Sequence, residues 1–169
     1  MKNNILQPIQ KADKHIKRHY VKQNRNGSTS WDTCLKGAPL VAFVASNLFR
    51  TEIKKELKED IIKAAVGELI LKAAVQSLKK VYQRRRPNGG DQSFPSAHTA
   101  TSFLGSELLR QKCQNEHFVI ACAGFTASAG VMALRLYHNR HWFSDLVCGA
   151  IIGVLSARLS HKLVHKVLS

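Results

Sequence analysis

Apolar residues recur at three- and four-residue spacing through five blocks, 37–50, 61–83, 95–111, 118–137 and 142–167, without the two-residue alternation of a half-buried strand. The pattern predicts an all-α chain. The segments between the blocks, 51–60, 84–94, 112–117 and 138–141, are short, so successive helices should run antiparallel and close into a compact bundle of about five core helices. Ahead of the bundle, Leu6, Ile9, Ile16 and Tyr20 share one helical face while Lys11, Lys14, Lys17 and Arg18 occupy the rest. This N-terminal amphipathic helix suits a membrane interface or docking onto the domain. The polar stretch 24–30 then divides the chain into a basic segment, 1–30, and a helical-bundle domain, 31–169.

Whether the bundle sits in lipid depends on span length. A crossing helix needs ~20 mainly apolar residues, and only 118–134 comes close without a charge. Glu68 and Lys72 stand one turn apart and can pair on an inward face. Ala127, Ser128, Ala129, Gly130, Gly149 and Gly153 allow close helix contact, in lipid as in a soluble bundle. A membrane-embedded bundle is the expectation.

Charge narrows the partners. A formal net charge of +15 and a pI near 10.1 favour anions: nucleic acid, an acidic bilayer or phosphorylated substrates. Few aromatics interleave the basic runs, so nucleic acid is not the expected partner. Cys34, Cys113, Cys122 and Cys148 show no paired spacing, and neither disulfides nor zinc is expected. The basic start, with its spaced apolar residues, does not resemble a secretory signal.

Three segments combine phosphate-binding with proton-transfer residues. In 79–87 (KKVYQRRRP), Pro87 disfavours helix at Arg86, so Lys79 lies on the last turns of a helix and Arg86 just beyond. The pair can converge on one dianion, the arginine as a fork and the lysine as a compact charge. The same run also fits a solvated basic helix end or a nucleic-acid contact. In 94–98 (FPSAH), Pro95 fits the first turn of a helix, and Ser96 and nearby N–H groups form an anion seat at its positive end. His98 can protonate a leaving oxygen, although a cap beside an uninvolved histidine has the same pattern. In 135–145 (RLYHNRHWFSD), His141 and Asp145 fall at i,i+4. Asp145 can hold one ring nitrogen as N–H and leave the other lone pair for phosphorus, with Arg135 as a further cation. His138 and His141 do not complete a metal site at ligand spacing.

Together these segments resemble the signature of the type-2 phosphatidic acid phosphatase superfamily, over about 61–160. Its first motif is matched by Lys79, Arg86 and Pro87; its second, proline-serine-glycine-histidine, by Pro95, Ser96, Ala97 and His98; its third by Arg135, His141 and Asp145. The resemblance implies a phosphate site built from Lys79, Arg86, Ser96, Ala97 and Arg135, with His141 as nucleophile, Asp145 supporting it and His98 as general acid. It implies no metal and no cofactor, a phosphohistidine intermediate and a phosphorylated lipid as substrate: phosphatidic acid, a phosphatidylglycerol phosphate, a polyprenyl diphosphate or a lipid A type. A soluble acid phosphatase, a vanadate-dependent haloperoxidase and a non-catalytic basic module are the competing readings. A bacterial inner membrane with the site facing the periplasm is expected from the family, while the basic residues near the N-terminus argue for an inward-facing site. Ala97 replaces the usual glycine, which matters only if that turn requires positive φ.

Overall fold

The computed structural model describes residues 3–20, 30–46, 53–113 and 118–168. They form six helices: α1 (Asn3–Tyr20), α2 (Ser30–Ala45), α3 (Ile53–Tyr82), α4 (Ala97–Cys113), α5 (Phe118–Tyr137) and α6 (Phe143–Leu168). The helical fold and the N-terminal helix agree with the apolar pattern. Residues 47–50, the polar stretch 24–29, the segment 114–117 and the side chains of Leu6, Tyr20 and Cys34 lie outside the described residues.

Two helices begin earlier than the apolar pattern predicts. α3 starts at Ile53 rather than 61 because 53–60 (IKKELKED) is charged but made mostly of strong helix formers. The Glu59–Lys63 pair, at 2.7 Å, ties that extension to the next turn. α2 starts at Ser30 rather than 37.

α4 forms the axis, packed between α2, α5 and α6. Its Ala100, Leu104, Leu108 and Leu109 meet Phe43, Leu71, Val75 and Ala157 in the core. Each fully buried leucine contributes roughly 1.5–3 kcal/mol. Where α4 faces α5, the Ser128 hydroxyl lies 2.7 Å from that of Ser102 and 2.8 Å from that of Ser106, so the α4–α5 seam buries hydroxyls that satisfy one another. α6 approaches α4 through glycines. A Cβ on Gly149 would stand 2.6 Å from the carbonyl oxygen of Ser96, and one on Gly153 would collide with that of Ala100. Only hydrogen at these positions lets α6 lie flush against the start of α4.

Outward, the two apolar helices present uncovered faces. Phe118, Val119 and Ile120 on α5 and Val147, Ile151, Leu155, Leu159 and Leu163 on α6 are all exposed, the α6 set as an unbroken i,i+4 stripe. α5 and the stretch 143–167 of α6 are long and apolar enough to cross a bilayer.

Candidate active site

The site is built at the end of the bundle where α3 and α5 finish and α4 and α6 begin. α3 stops at Tyr82 because Gln83 turns left-handed, at φ 40°, and returns its N–H to the Lys79 carbonyl at 3.1 Å. The helix thus ends five residues before the proline. The chain then folds back through Asn88-Gly89-Gly90, with Gly89 at φ 90°, and Ser93 N–H closes onto the Arg84 carbonyl at 2.7 Å. This fold-back sets Lys79, which donates to the Gln92 carbonyl at 2.6 Å, beside Arg86, which donates to that of Asp91 at 3.1 Å.

α4 begins at Ala97, and Ser96 rather than Pro95 opens it. The Ser96 hydroxyl accepts from Thr99 N–H at 3.4 Å, as an N-cap does, and its own N–H goes to the Asp145 carbonyl at 3.1 Å. Ser96 therefore anchors the helix start, and the N–H groups of Ala97 and His98 are the ones at the positive end. Ala97 has no left-handed φ. Its methyl sits on an ordinary first helical residue, so replacing glycine costs the turn nothing.

α5 ends in a left-handed cap at Asn139, φ 55°. Arg140 N–H reaches the Arg135 carbonyl and Asn139 N–H that of Leu136, both at 3.1 Å. That turn fixes the relation between Arg135, on the last turn of α5, and His141 beyond it. α6 opens at Trp142, whose N–H donates to the Asp145 carboxylate at 2.9 Å.

His141 is 4% exposed. Its Nδ1 lies 2.8 Å from the Ser93 carbonyl and 3.8 Å from the Asp145 carboxylate. A carbonyl can only accept, so Nδ1 carries the proton and Nε2 keeps its lone pair. The expected direct bond to Asp145 is replaced by this backbone contact. Asp145 acts on the ring by charge and spends its hydrogen bonds on organisation: Trp142 N–H, the Ser93 hydroxyl, and Arg84 at 2.7 Å. Burial lowers the His141 pKa and the Asp145 charge pulls it partly back up.

Two residues that the apolar pattern passed over complete the frame. Arg84 forks between Asp145 and Asp13 of α1, each at 2.7 Å. Asp13, 3% exposed, also takes Ser144 N–H at 3.0 Å and the Ser144 hydroxyl at 2.7 Å, capping α6 from a helix 131 residues away. Lys17 of the same helix donates to the Pro87 carbonyl at 3.1 Å and lies over the Trp142 ring. The signal for Asp13 was present: an acid within the apolar stripe of a basic helix. Arg84 is thus tied into the frame rather than part of a solvated basic end.

His98 is partly buried near His141 and among the cations Arg135, Lys36 and Arg86, and burial together with this positive field pushes its pKa down to about 3. Burial likewise lowers the pKa of Lys79, with Arg86 adding to the effect. A bound phosphate dianion would reverse the cationic part of this field and raise the basicity of His98. All three motifs therefore meet at one end, with His141 and His98 in the same electrostatic neighbourhood and the cations around them. The arrangement suits in-line displacement at phosphorus by an imidazole.

Comparison with known proteins gives the family by sequence and the architecture by fold. The PAP2 superfamily profile matches residues 60–169, and the chain belongs to that superfamily. Over 102 residues it is 32% identical to a lipid A 1-phosphatase of Porphyromonas gingivalis, covering 60% of this chain and 23% of that protein. The chain thus spans about a quarter of the length of this curated relative. Its fold is similar to the crystal structure of Aquifex aeolicus LpxE, with a TM-score of 0.62 and 18% identity over 90% of this chain and 94% of the other. It is also similar to the transmembrane PAP2-type phosphatidylglycerolphosphate phosphatase of Bacillus subtilis, with a TM-score of 0.65 and 17% identity over 94% and 87%.

Proposed function

We propose that this chain is a metal-independent phosphatase that removes a phosphoryl group from a membrane lipid through a phosphohistidine. The observation that carries the reading is the tautomer of His141. Its Nδ1–H is committed to the Ser93 carbonyl, so Nε2 is left as a neutral nucleophile among Arg86, Arg135 and His98.

Nε2 of His141 forms a bond to phosphorus as the bond from phosphorus to the ester oxygen breaks. His98, protonated once the dianion is bound, gives its proton to that oxygen. Water then attacks the phosphohistidine, His98 takes a proton from it, and inorganic phosphate leaves with His141 neutral again. Lys79, Arg86, Arg135 and the N–H groups of Ala97 and His98 balance the charge on the equatorial oxygens through both steps.

A lipid substrate is supported by the exposed apolar faces of α5 and α6. Behind the catalytic turn an apolar groove of about 760 Å³, lined by Ile9, Tyr82, Phe94, Phe143, Val147 and Ile151, runs between α1 and α6 and is open to an acyl chain. The relatives' names point the same way: lipid A 1-phosphatase and phosphatidylglycerolphosphate phosphatase.

The test is phosphate release by the purified protein in detergent micelles from a panel of phospholipid, isoprenoid and soluble phosphates. Release from lipids that vanadate inhibits and chelators do not is the expected result. Preference for soluble monoesters, or activity abolished by chelation, would contradict the reading.

A further inference from the structure

α1 presents two unlike faces. Inward, Asp13 is the one buried side chain among residues 8–19, and none of the apolar side chains there reaches the core. The helix is held by polar contacts instead: Asp13 to Arg84 and Ser144, and Lys17 to the Pro87 carbonyl and the Trp142 ring. A seat that buries so little apolar surface is weakly held, so a modest outside bias decides how fully it is occupied.

Outward, Lys11, Lys14 and Arg18 stand at i, i+3 and i+7, all exposed, on the side away from Asp13. α1 contains no acid besides Asp13, and Asp13 is spent on Arg84 and Ser144. The depth of this face says what it meets. Asp13 and Lys17 touch Ser144 and Trp142 where the apolar stretch of α6 begins, so α1 lies across the bundle at the level where acyl chains give way to head groups. Lysine and arginine at that level are drawn to an anionic bilayer surface.

We propose that α1 is a clamp set by bilayer charge: Lys11, Lys14 and Arg18 bind the head groups of anionic phosphodiester lipids, which are not themselves substrates, and this binding seats Asp13 and Lys17 on Arg84, Ser144 and Trp142. Without the seat, Arg84 loses one of its two carboxylates and α6 loses its cap beside the turn that carries His141. Turnover therefore rises with the negative charge of the surrounding bilayer. The effect on turnover rests on the phosphatase reading above; the docking of α1 does not.

The experiment places the full chain in nanodiscs of dioleoyl phosphatidylcholine, with or without about 30 mol% dioleoyl phosphatidylserine. The substrate, at one low mole fraction, is phosphatidic acid or whichever lipid of the panel above is hydrolysed best. With phosphatidylserine kcat should be about five- to tenfold higher, and about 0.5 M salt should remove most of the gain. Lys11→Gln/Lys14→Gln/Arg18→Gln should match wild type within about twofold in phosphatidylcholine and gain nothing from phosphatidylserine. Hydrogen exchange gives a readout independent of turnover: the amides of α1, and that of Ser144, which donates to Asp13, should exchange at least about fivefold more slowly in the anionic discs. Equal exchange in the two bilayers, equal kcat, or a response that the triple variant keeps would overturn the proposal. Should no lipid be hydrolysed, the phosphatase reading fails by itself, and exchange alone decides whether anionic lipid docks α1.

Discussion

Two buried carboxylate clusters lie in different parts of the bundle and are put to opposite uses. Toward the far end of α4, Glu107 is 1% exposed and takes Arg110 in a two-pronged pair at 2.8 and 2.9 Å and Arg158 of α6 at 2.9 Å, while Asp60 pairs with Lys112. There the cations come to the acid and the charges close on themselves. At the catalytic end Asp13 and Asp145 share Arg84, but Lys79 and Arg86 are turned toward backbone carbonyls. A positive field therefore remains facing His98. One cluster locks α4 to α6; the other holds His141, the proposed nucleophile, in place and leaves its surroundings cationic.

This contrast can be broken one residue at a time. His141→Ala should lower kcat/KM by more than about a thousandfold with the helical content intact, measured as phosphate release and circular dichroism. Asp145→Asn should cost about a hundredfold. It should also move the acid limb of the kcat/KM profile to lower pH. His141 must be neutral to attack, burial already sets its pKa below the usual imidazole value, and the Asp145 charge is what raises it. An acid limb that moves upward would contradict the assignment. Asp13→Ala should cost about tenfold, mainly in kcat, because Arg84 and Ser144 lose their anchor while the phosphate cations stay; Asp13→Glu should recover part of the loss. Glu107→Gln should leave phosphate release unchanged and lower the melting temperature by about 2–8 °C, for a loss of roughly 1–2 kcal/mol.

The helices were legible in the chain because their apolar residues repeat at helical spacing, and α5 begins and ends where that spacing begins and ends. The charged start of α3 was hidden because Lys and Glu favour helix without marking a buried face. Lys79, Arg86, His98, Arg135, His141 and Asp145 could be picked out because each belongs to a short local pattern of cations or imidazoles. Ser93 could not, since its contribution to His141 is a backbone carbonyl, which leaves no mark on side-chain identity. Asp13 and Lys36 depend on helices brought together from elsewhere in the chain, and both lie outside the segment that the family profile covers.

The most direct measurement is rapid acid-free quenching of the purified protein with a lipid labelled in its terminal phosphate, followed by peptide mapping under alkaline conditions. Label on the peptide containing His141, absent from the His141→Ala protein, is the predicted result. Rapid phosphate release with no labelled histidine at any quench time, and hydrolysis that survives His141→Ala, would contradict it.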